Sequence, residues 1–202
     1  MSEYTVGIVL ASMAFANGVR DPLALAWTVT AAAYVYTADR YIDGKPEVVK
    51  NNTPESIAIL AIVSSVILYR SHLEYAALAE LSCVQAYPAL KKRAPLLKSA
   101  FVGACWGHAV NYIPKRIENY DAVPDIETTL GFTLISAAVS NHADIADAED
   151  DARDGIYTVP ARFGRRAAFA VSTLYAGGGI ALLSRKHRIT PQFHRIVSSK
   201  IA

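Results

Sequence analysis

Long runs of apolar residues, separated by short polar connections, occupy the sequence from its start to about residue 184. Each run is too continuous in apolar residues for a helix with one face in water, so it predicts a helix surrounded by protein or lipid. The predicted helices cover 4–17, 22–38, 54–69, 72–88, 95–113, 126–147 and 165–184. Pro22, Pro54 and Pro95 stand at helix starts, where the missing N–H of proline costs nothing.

The apolar content of the chain favours a membrane protein. Apolar residues make up 52% of the 202 residues and charged residues only 19%, and the mean hydropathy of +0.22 is high for a soluble chain. Several predicted helices are shorter than the roughly 20 residues that cross a bilayer, so we expect some to be tilted or interrupted. The sequence predicts an all-α, multi-spanning transmembrane bundle of about seven helices in one domain (1–184), followed by a basic tail (185–202).

Other classes of protein are disfavoured. The net charge is only +2, and no Lys/Arg run is interleaved with aromatic residues as in proteins that bind single-stranded nucleic acid. Cys83 and Cys105 lie inside apolar runs without the spacing of a metal site, so we predict that they are packing residues. The apolar residues 4–16 lack a basic region and a cleavage site, so no cleavable signal peptide is predicted.

The distribution of basic residues predicts the orientation in the membrane. The connections after the second, fourth and sixth helices carry most of the Lys and Arg residues, which places them on the cytoplasmic side or its organellar equivalent. The basic tail after the seventh helix would then lie on the opposite side. Either one span is miscounted or the chain stops before further helices.

The acidic segment, Asp144–Asp154, is the strongest candidate for a functional site. At about 100° per residue in one continuous helix, Asp144, Asp147, Asp151 and Asp154 fall within roughly 80° of arc. Like charges on one face destabilise a helix unless a cation compensates them, and oxygen ligands suit Mg²⁺. The segment therefore predicts a magnesium site, with a solvated acidic helix end as the alternative.

A second pair of carboxylates lies at the end of the second predicted helix. Asp39 and Asp43 are four residues apart, on one helical face, and they face the same side of the membrane as the acidic segment. Two acidic clusters at the mouth of a helical bundle could hold Mg²⁺ against a diphosphate. The alternative is an ordinary helix end beside Arg40.

Three adjacent cations follow the fourth predicted helix. Lys91, Lys92 and Arg93 would face the acidic clusters and could bind diphosphate oxygens, the lysines as point charges and the arginine in a bidentate manner. The alternative is a basic loop that only sets topology.

These motifs resemble those of the UbiA superfamily of intramembrane prenyltransferases, whose members carry two aspartate motifs with a basic motif between them. The resemblance covers roughly residues 20–180. The matching motifs are Tyr36-x-x-Asp39-Arg40-x-x-Asp43, Tyr87-Pro88-x-x-Lys91-Lys92-Arg93, and Asp144-x-x-Asp147-x-Glu149-x-Asp151-x-x-x-Gly155 with Thr158, Pro160 and Arg162 after it.

The resemblance implies a reaction and a set of site residues. The reaction is Mg²⁺-dependent ionisation of an allylic isoprenyl diphosphate, followed by capture of the carbocation by an acceptor held in the membrane, which could be aromatic, a quinone precursor or a lipid. The implied metal ligands are Asp39, Asp43, Asp147 and Asp151, with Asp144 in support. The implied diphosphate ligands are Lys91, Lys92, Arg93 and Arg162.

The chain departs from the family pattern in two places. Val35 and Tyr36 stand where the first motif begins with Asn-Asp, and seven helices are predicted where the family usually has nine. Alternatives therefore include a terpene cyclase of the same superfamily and a truncated, non-catalytic relative that binds a lipid or a partner. A phosphatidyl transferase of the CDP-alcohol type is disfavoured, because no aspartate follows Asp154.

Overall fold

A computed structural model of the chain describes residues 3–42, 44 and 54–186, which form helices joined by short turns. The helices are α1 (Glu3–Ala16), α2 (Pro22–Ile42), α3 (Pro54–Arg70), α4 (Glu74–Arg93), α5 (Lys98–Gly107), α6 (Ile113–Glu118), α7 (Ile126–Ala143), α8 (Ala148–Arg153) and α9 (Val159–Lys186). A 3₁₀ turn (Pro95–Leu97) precedes α5, and a π-helical turn (His108–Tyr112) joins α5 to α6. The all-α prediction is confirmed for these residues.

Five predicted helix boundaries are wrong by four residues or more. The helices predicted over 22–38 and 95–113 continue to Ile42 and Glu118. The helix predicted over 72–88 continues through Pro88 to Arg93, so its three terminal cations lie in the last turn, where they interact favourably with the helix dipole. The helix predicted over 126–147 ends at Ala143. The helix predicted over 165–184 begins earlier, at Val159, and has a kink at Gly164, whose φ of 83° suits glycine.

One helix in the described part of the chain is long and apolar enough to cross a membrane by itself. It is the stretch Val159–Arg185 of α9, and only 11% of its most apolar part is buried against the rest of the protein. The remaining apolar helices are shorter or carry more polar residues. The structure is thus compatible with a membrane protein, and the multi-spanning bundle stays a prediction.

The helices pack in two groups. In the first group, α2 packs against α1, α3, α4 and α6, with Trp27, Leu68 and Leu73 in its buried core. In the second group, α7 packs between α5 and α9 and has the most extensive contacts in the chain. The π-helical turn contacts α1, α5 and α7, and so links the two groups.

Glycines bring the helices of the second group close together. Gly103 and Gly107 of α5 lie against the backbone of α7, and Gly131 of α7 lies against Gly179 of α9. Small residues at such positions let helix backbones approach closely, which is the usual way in which helices associate where both sides are apolar.

A buried chain of amide and hydroxyl groups holds the π-helical turn in place. The Asn17 side-chain amide donates to Asn111 Oδ1 at 2.6 Å, and the Asn111 amide donates to Thr129 Oγ1 at 2.7 Å. Asn111 and Thr129 are almost completely buried. These bonds connect α1, the π-helical turn and α7, and satisfy polar groups that would otherwise be costly to bury.

Candidate functional site

The acidic segment is not one continuous helix. Asp144 follows the last residue of α7, a turn covers the next residues, and Asp147 precedes α8. The prediction that four aspartates share one helical face is therefore wrong. The break has an electrostatic reason: it places Glu149, Asp150 and Asp151 in the first turn of a new helix, where the dipole stabilises negative charge, whereas the end of a longer α7 would destabilise them.

Asp144 is buried in an ion pair with Lys98. The Lys98 ammonium donates to Asp144 Oδ1 at 2.7 Å, and the two residues are only 8% and 5% exposed. Burial raises the pKa of Asp144, the positive charge of Lys98 opposes that rise, and the negative charges of Asp151 and Asp147 add to it. The ion pair fixes the start of the acidic segment against the first residue of α5.

Asp151 is held in place by the residue that directly precedes α9. Its carboxylate accepts a hydrogen bond from Thr158 Oγ1 at 3.2 Å, and the exposed fractions are 7% for Asp151 and 1% for Thr158. The chain returns to this position because Gly155 adopts a φ of 74° after α8, and the backbone N–H of Ile156 donates to the Asp151 carbonyl at 2.7 Å. Gly155 thus provides the left-handed turn that brings Thr158 to Asp151.

The other carboxylates of the segment are exposed. They are Asp147, Glu149, Asp150 and Asp154, of which Asp150 pairs with Arg153 at 3.0 Å on the surface. Among the residues described, no three His, Cys, Asp or Glu side chains converge closely enough to hold a metal ion. The chemistry of the donor set nevertheless fits Mg²⁺, because Asp147 and Asp151 offer only hard carboxylate oxygens.

The first aspartate motif lies elsewhere on the described part of the chain. Asp39 is half-buried near the end of α2, where the neighbouring Arg40 guanidinium donates to the Tyr36 hydroxyl at 3.1 Å. Asp43 lies outside the described residues. Since α2 makes no extensive packing contact with α7 or α8 in the part described, the approach of the two aspartate motifs remains a prediction.

The predicted diphosphate ligands are at helix ends. Lys91 is half-buried in the last turn of α4, and Lys92 and Arg93 are exposed beside it. The Tyr87 ring stacks on Phe101 of α5 at 6.0 Å between centroids, so the end of α4 lies against the first turns of the helix that carries Lys98. Arg162 is exposed at the start of α9, with its guanidinium 5.4 Å from the centre of the Phe163 ring.

Two residues that hold the acidic segment were not identified from the sequence in these roles. The sequence indicates Lys98 only as one of the basic residues that follow the fourth predicted helix, and Thr158 only as part of a motif. A signal for Lys98 was available, because it is a single cation at the start of the apolar run Ser99–Trp106, where a buried ammonium needs a partner.

Comparison with known proteins does not place the chain in a family. No family model matches the sequence, and neither curated proteins nor solved structures include a match to it.

Proposed function

We propose that this protein is a multi-pass membrane enzyme that moves an isoprenyl group from an allylic diphosphate to an acceptor held in the membrane, with Mg²⁺ as its cofactor. The acidic segment and the basic end of α4 would form the diphosphate site, on the cytoplasmic face or its organellar equivalent. The apolar helices would house the isoprenoid chain and exclude water from the reactive carbocation.

The observation that carries this proposal is the burial of two carboxylates in the acidic segment. A solvated acidic helix end would leave all of its carboxylates in water. Asp144 and Asp151 are instead almost completely buried, and each has a partner from another part of the chain. Burying carboxylates is costly, and such arrangements cluster at functional sites.

The chain's own residues would each perform a separate task. Asp147 and Asp151 would hold the metal together with Asp39, while Lys98 and Thr158 keep the acidic segment in place. Bound Mg²⁺ would stabilise the charge that develops on the diphosphate as the C–O bond breaks. Lys91, Lys92 and Arg93 would bind the remaining phosphate oxygens, with Arg162 as a further candidate.

Diphosphate release tests the proposal directly. The purified chain in detergent would be incubated with dimethylallyl, geranyl, farnesyl and geranylgeranyl diphosphate, with Mg²⁺ or with EDTA. Asp147→Asn is the test variant and Asp150→Asn is the matched control, since both aspartates are exposed and only three residues apart. We expect Mg²⁺-dependent release that Asp147→Asn lowers by at least a hundredfold and Asp150→Asn leaves nearly unchanged.

Two results would contradict the proposal. If the folded wild-type protein releases no diphosphate from any of the four substrates, catalysis by this chain alone is excluded and a lipid-binding relative is favoured. If both variants lose release equally, the effect is one of general surface charge and not of a metal ligand.

A further inference from the structure

Two arginines just after the kink in α9 have no ionic partner among the residues that the structure describes. Arg165 and Arg166 are both exposed, and neither forms an ion pair within the part of the chain that the structure describes. The diphosphate site proposed above does not use them. Two adjacent guanidinium groups give this part of the surface a positive charge, which attracts anions.

An apolar groove begins about two helical turns further along α9. It is a shallow groove between α7 and α9, open over most of its surface, with a volume of about 290 Å³, and it is lined by Ala138, Val139, His142, Ser172, Thr173 and Ala176. Ser172 and Ala176 stand seven and eleven positions after Arg165, so they share its face of the helix. At 1.5 Å per residue, Ser172 is about 10 Å from Arg165 along the helix axis.

The surface between the arginines and the groove is aromatic. Phe169, four positions after Arg165, is 61% exposed, and its ring meets that of His142 edge to face, with 6.4 Å between centroids. One strip of α9 therefore runs from Arg165 through Phe169 to the apolar groove, and Arg166 lies at the edge of that strip, about 100° around the helix from Arg165. That order matches the boundary between the headgroups and the hydrocarbon of a bilayer.

We propose that this strip binds one anionic phospholipid, with the phosphate at Arg165 and Arg166 and an acyl chain in the α7–α9 groove. Arginine binds phosphate oxygens through two parallel hydrogen bonds, and each cation at the membrane surface favours anionic lipid. The inference rests on the membrane location in the proposed function, but not on prenyl transfer.

The charge of the strip favours a lipid over a second copy of the chain. A symmetric dimer across this groove would bring the same surface of both copies together, including both pairs of arginines. Like charges facing each other would oppose that contact. An anionic lipid instead neutralises the arginines and covers the apolar groove in one binding event.

Lipid binding to the full-length protein in detergent tests the assignment. The probes are phosphatidylglycerol and phosphatidylcholine with identical acyl chains, and glycerol 3-phosphate as a headgroup without chains. Native mass spectrometry reports the bound lipid and the oligomeric state. The variants are the double change Arg165→Gln with Arg166→Gln, the groove variant Ala176→Leu, and the control Arg153→Gln, which removes an exposed arginine already paired with Asp150.

We expect the wild-type protein to prefer phosphatidylglycerol. The double variant should weaken phosphatidylglycerol binding about fivefold per arginine, and so roughly 25-fold, while phosphatidylcholine binding stays unchanged. Ala176→Leu should weaken the binding of both lipids, whereas Arg153→Gln should leave the binding of both unchanged.

Three outcomes would overturn the proposal. One is an undiminished preference for phosphatidylglycerol in the double variant. Another is binding of glycerol 3-phosphate as tight as that of the lipid, which would indicate a site for free phosphate compounds. The third is a lipid-independent dimer that Ala176→Leu disrupts. The lipid-binding experiment contains no isoprenyl diphosphate. Its result therefore does not depend on whether the protein is active in the diphosphate assay.

Discussion

Replacing Gly179 by alanine tests the close packing of α7 against α9, and Gly177 in the same helix provides the control. A Cβ atom at position 179 would lie 2.7 Å from the carbonyl oxygen of Gly131 and 3.1 Å from the backbone nitrogen of Ile135. A Cβ atom at position 177 would meet nothing within 4 Å. The Ile135 side chain would also lie 2.7 Å away, but because the other two atoms belong to the backbone, α7 itself must shift to accept the methyl group.

The two variants differ only in this steric contact. In a helix, alanine is favoured over glycine by up to about 1 kcal/mol, and this gain applies at both positions. Forcing a methyl group into a closely packed contact typically costs about 1–3 kcal/mol. The free energy of unfolding should therefore differ between the variants by about 1–3 kcal/mol, with Gly177→Ala the more stable.

The two free cysteines supply the assay. Cys83 and Cys105 are both half-buried, so a thiol-reactive dye reports unfolding of the detergent-solubilised protein during heating. At about 2–4 °C per kcal/mol for a chain of this length, the midpoints of the two variants should separate by roughly 2–12 °C. Equal midpoints, or a higher midpoint for Gly179→Ala, would refute the close approach of α7 and α9.

Three further substitutions probe the buried polar contacts, the first two by the same unfolding assay and the third by diphosphate release. Lys98→Met should lower the free energy of unfolding by about 3–5 kcal/mol, because it leaves the Asp144 carboxylate buried without its cation. Lys98→Arg keeps the positive charge and should lower it less. Equal losses in the two variants would argue against the ion pair. Asn111→Ala should cost about 1–3 kcal/mol by leaving buried partners unsatisfied, whereas the exposed Asn119→Ala should change stability by less than about 0.5 kcal/mol. Thr158→Val should raise the Mg²⁺ concentration needed for diphosphate release, and Thr158→Ser should restore the wild-type requirement. If the serine variant behaves like the valine variant, the hydroxyl of residue 158 does not support the metal site.

The helical architecture could be predicted because it depends on local pattern. The apolar runs and the prolines at 22, 54 and 95 indicate where helices begin, and all seven predicted segments are helical. The helix ends were less accurate. Pro88 costs one internal hydrogen bond, yet α4 continues for another turn, because packing against neighbouring helices outweighs a local preference.

The candidate site was predictable in composition but not in arrangement. The aspartates of the acidic segment could be read from their spacing, as could the turn residue Gly155. Which of these aspartates lie on the same side of the chain could not be predicted, because the prediction of one shared helical face requires a helix without a break after Ala143. The assumption fails where the charge of successive acidic residues favours the start of a new helix over the end of an old one.

Local sequence pattern is enough to predict a set of apolar helices with charged ends, because hydrophobic periodicity and helix punctuation act over a few residues. Which of the charges are buried depends on the packing of distant segments. Lys98 and Asp144 are 46 residues apart in the chain, and no local pattern specifies that they meet. Their contact depends on how α5 packs against α7, where glycines allow the backbones to approach. That approach removes water from both charges, and a buried charge without a partner would be too costly to retain.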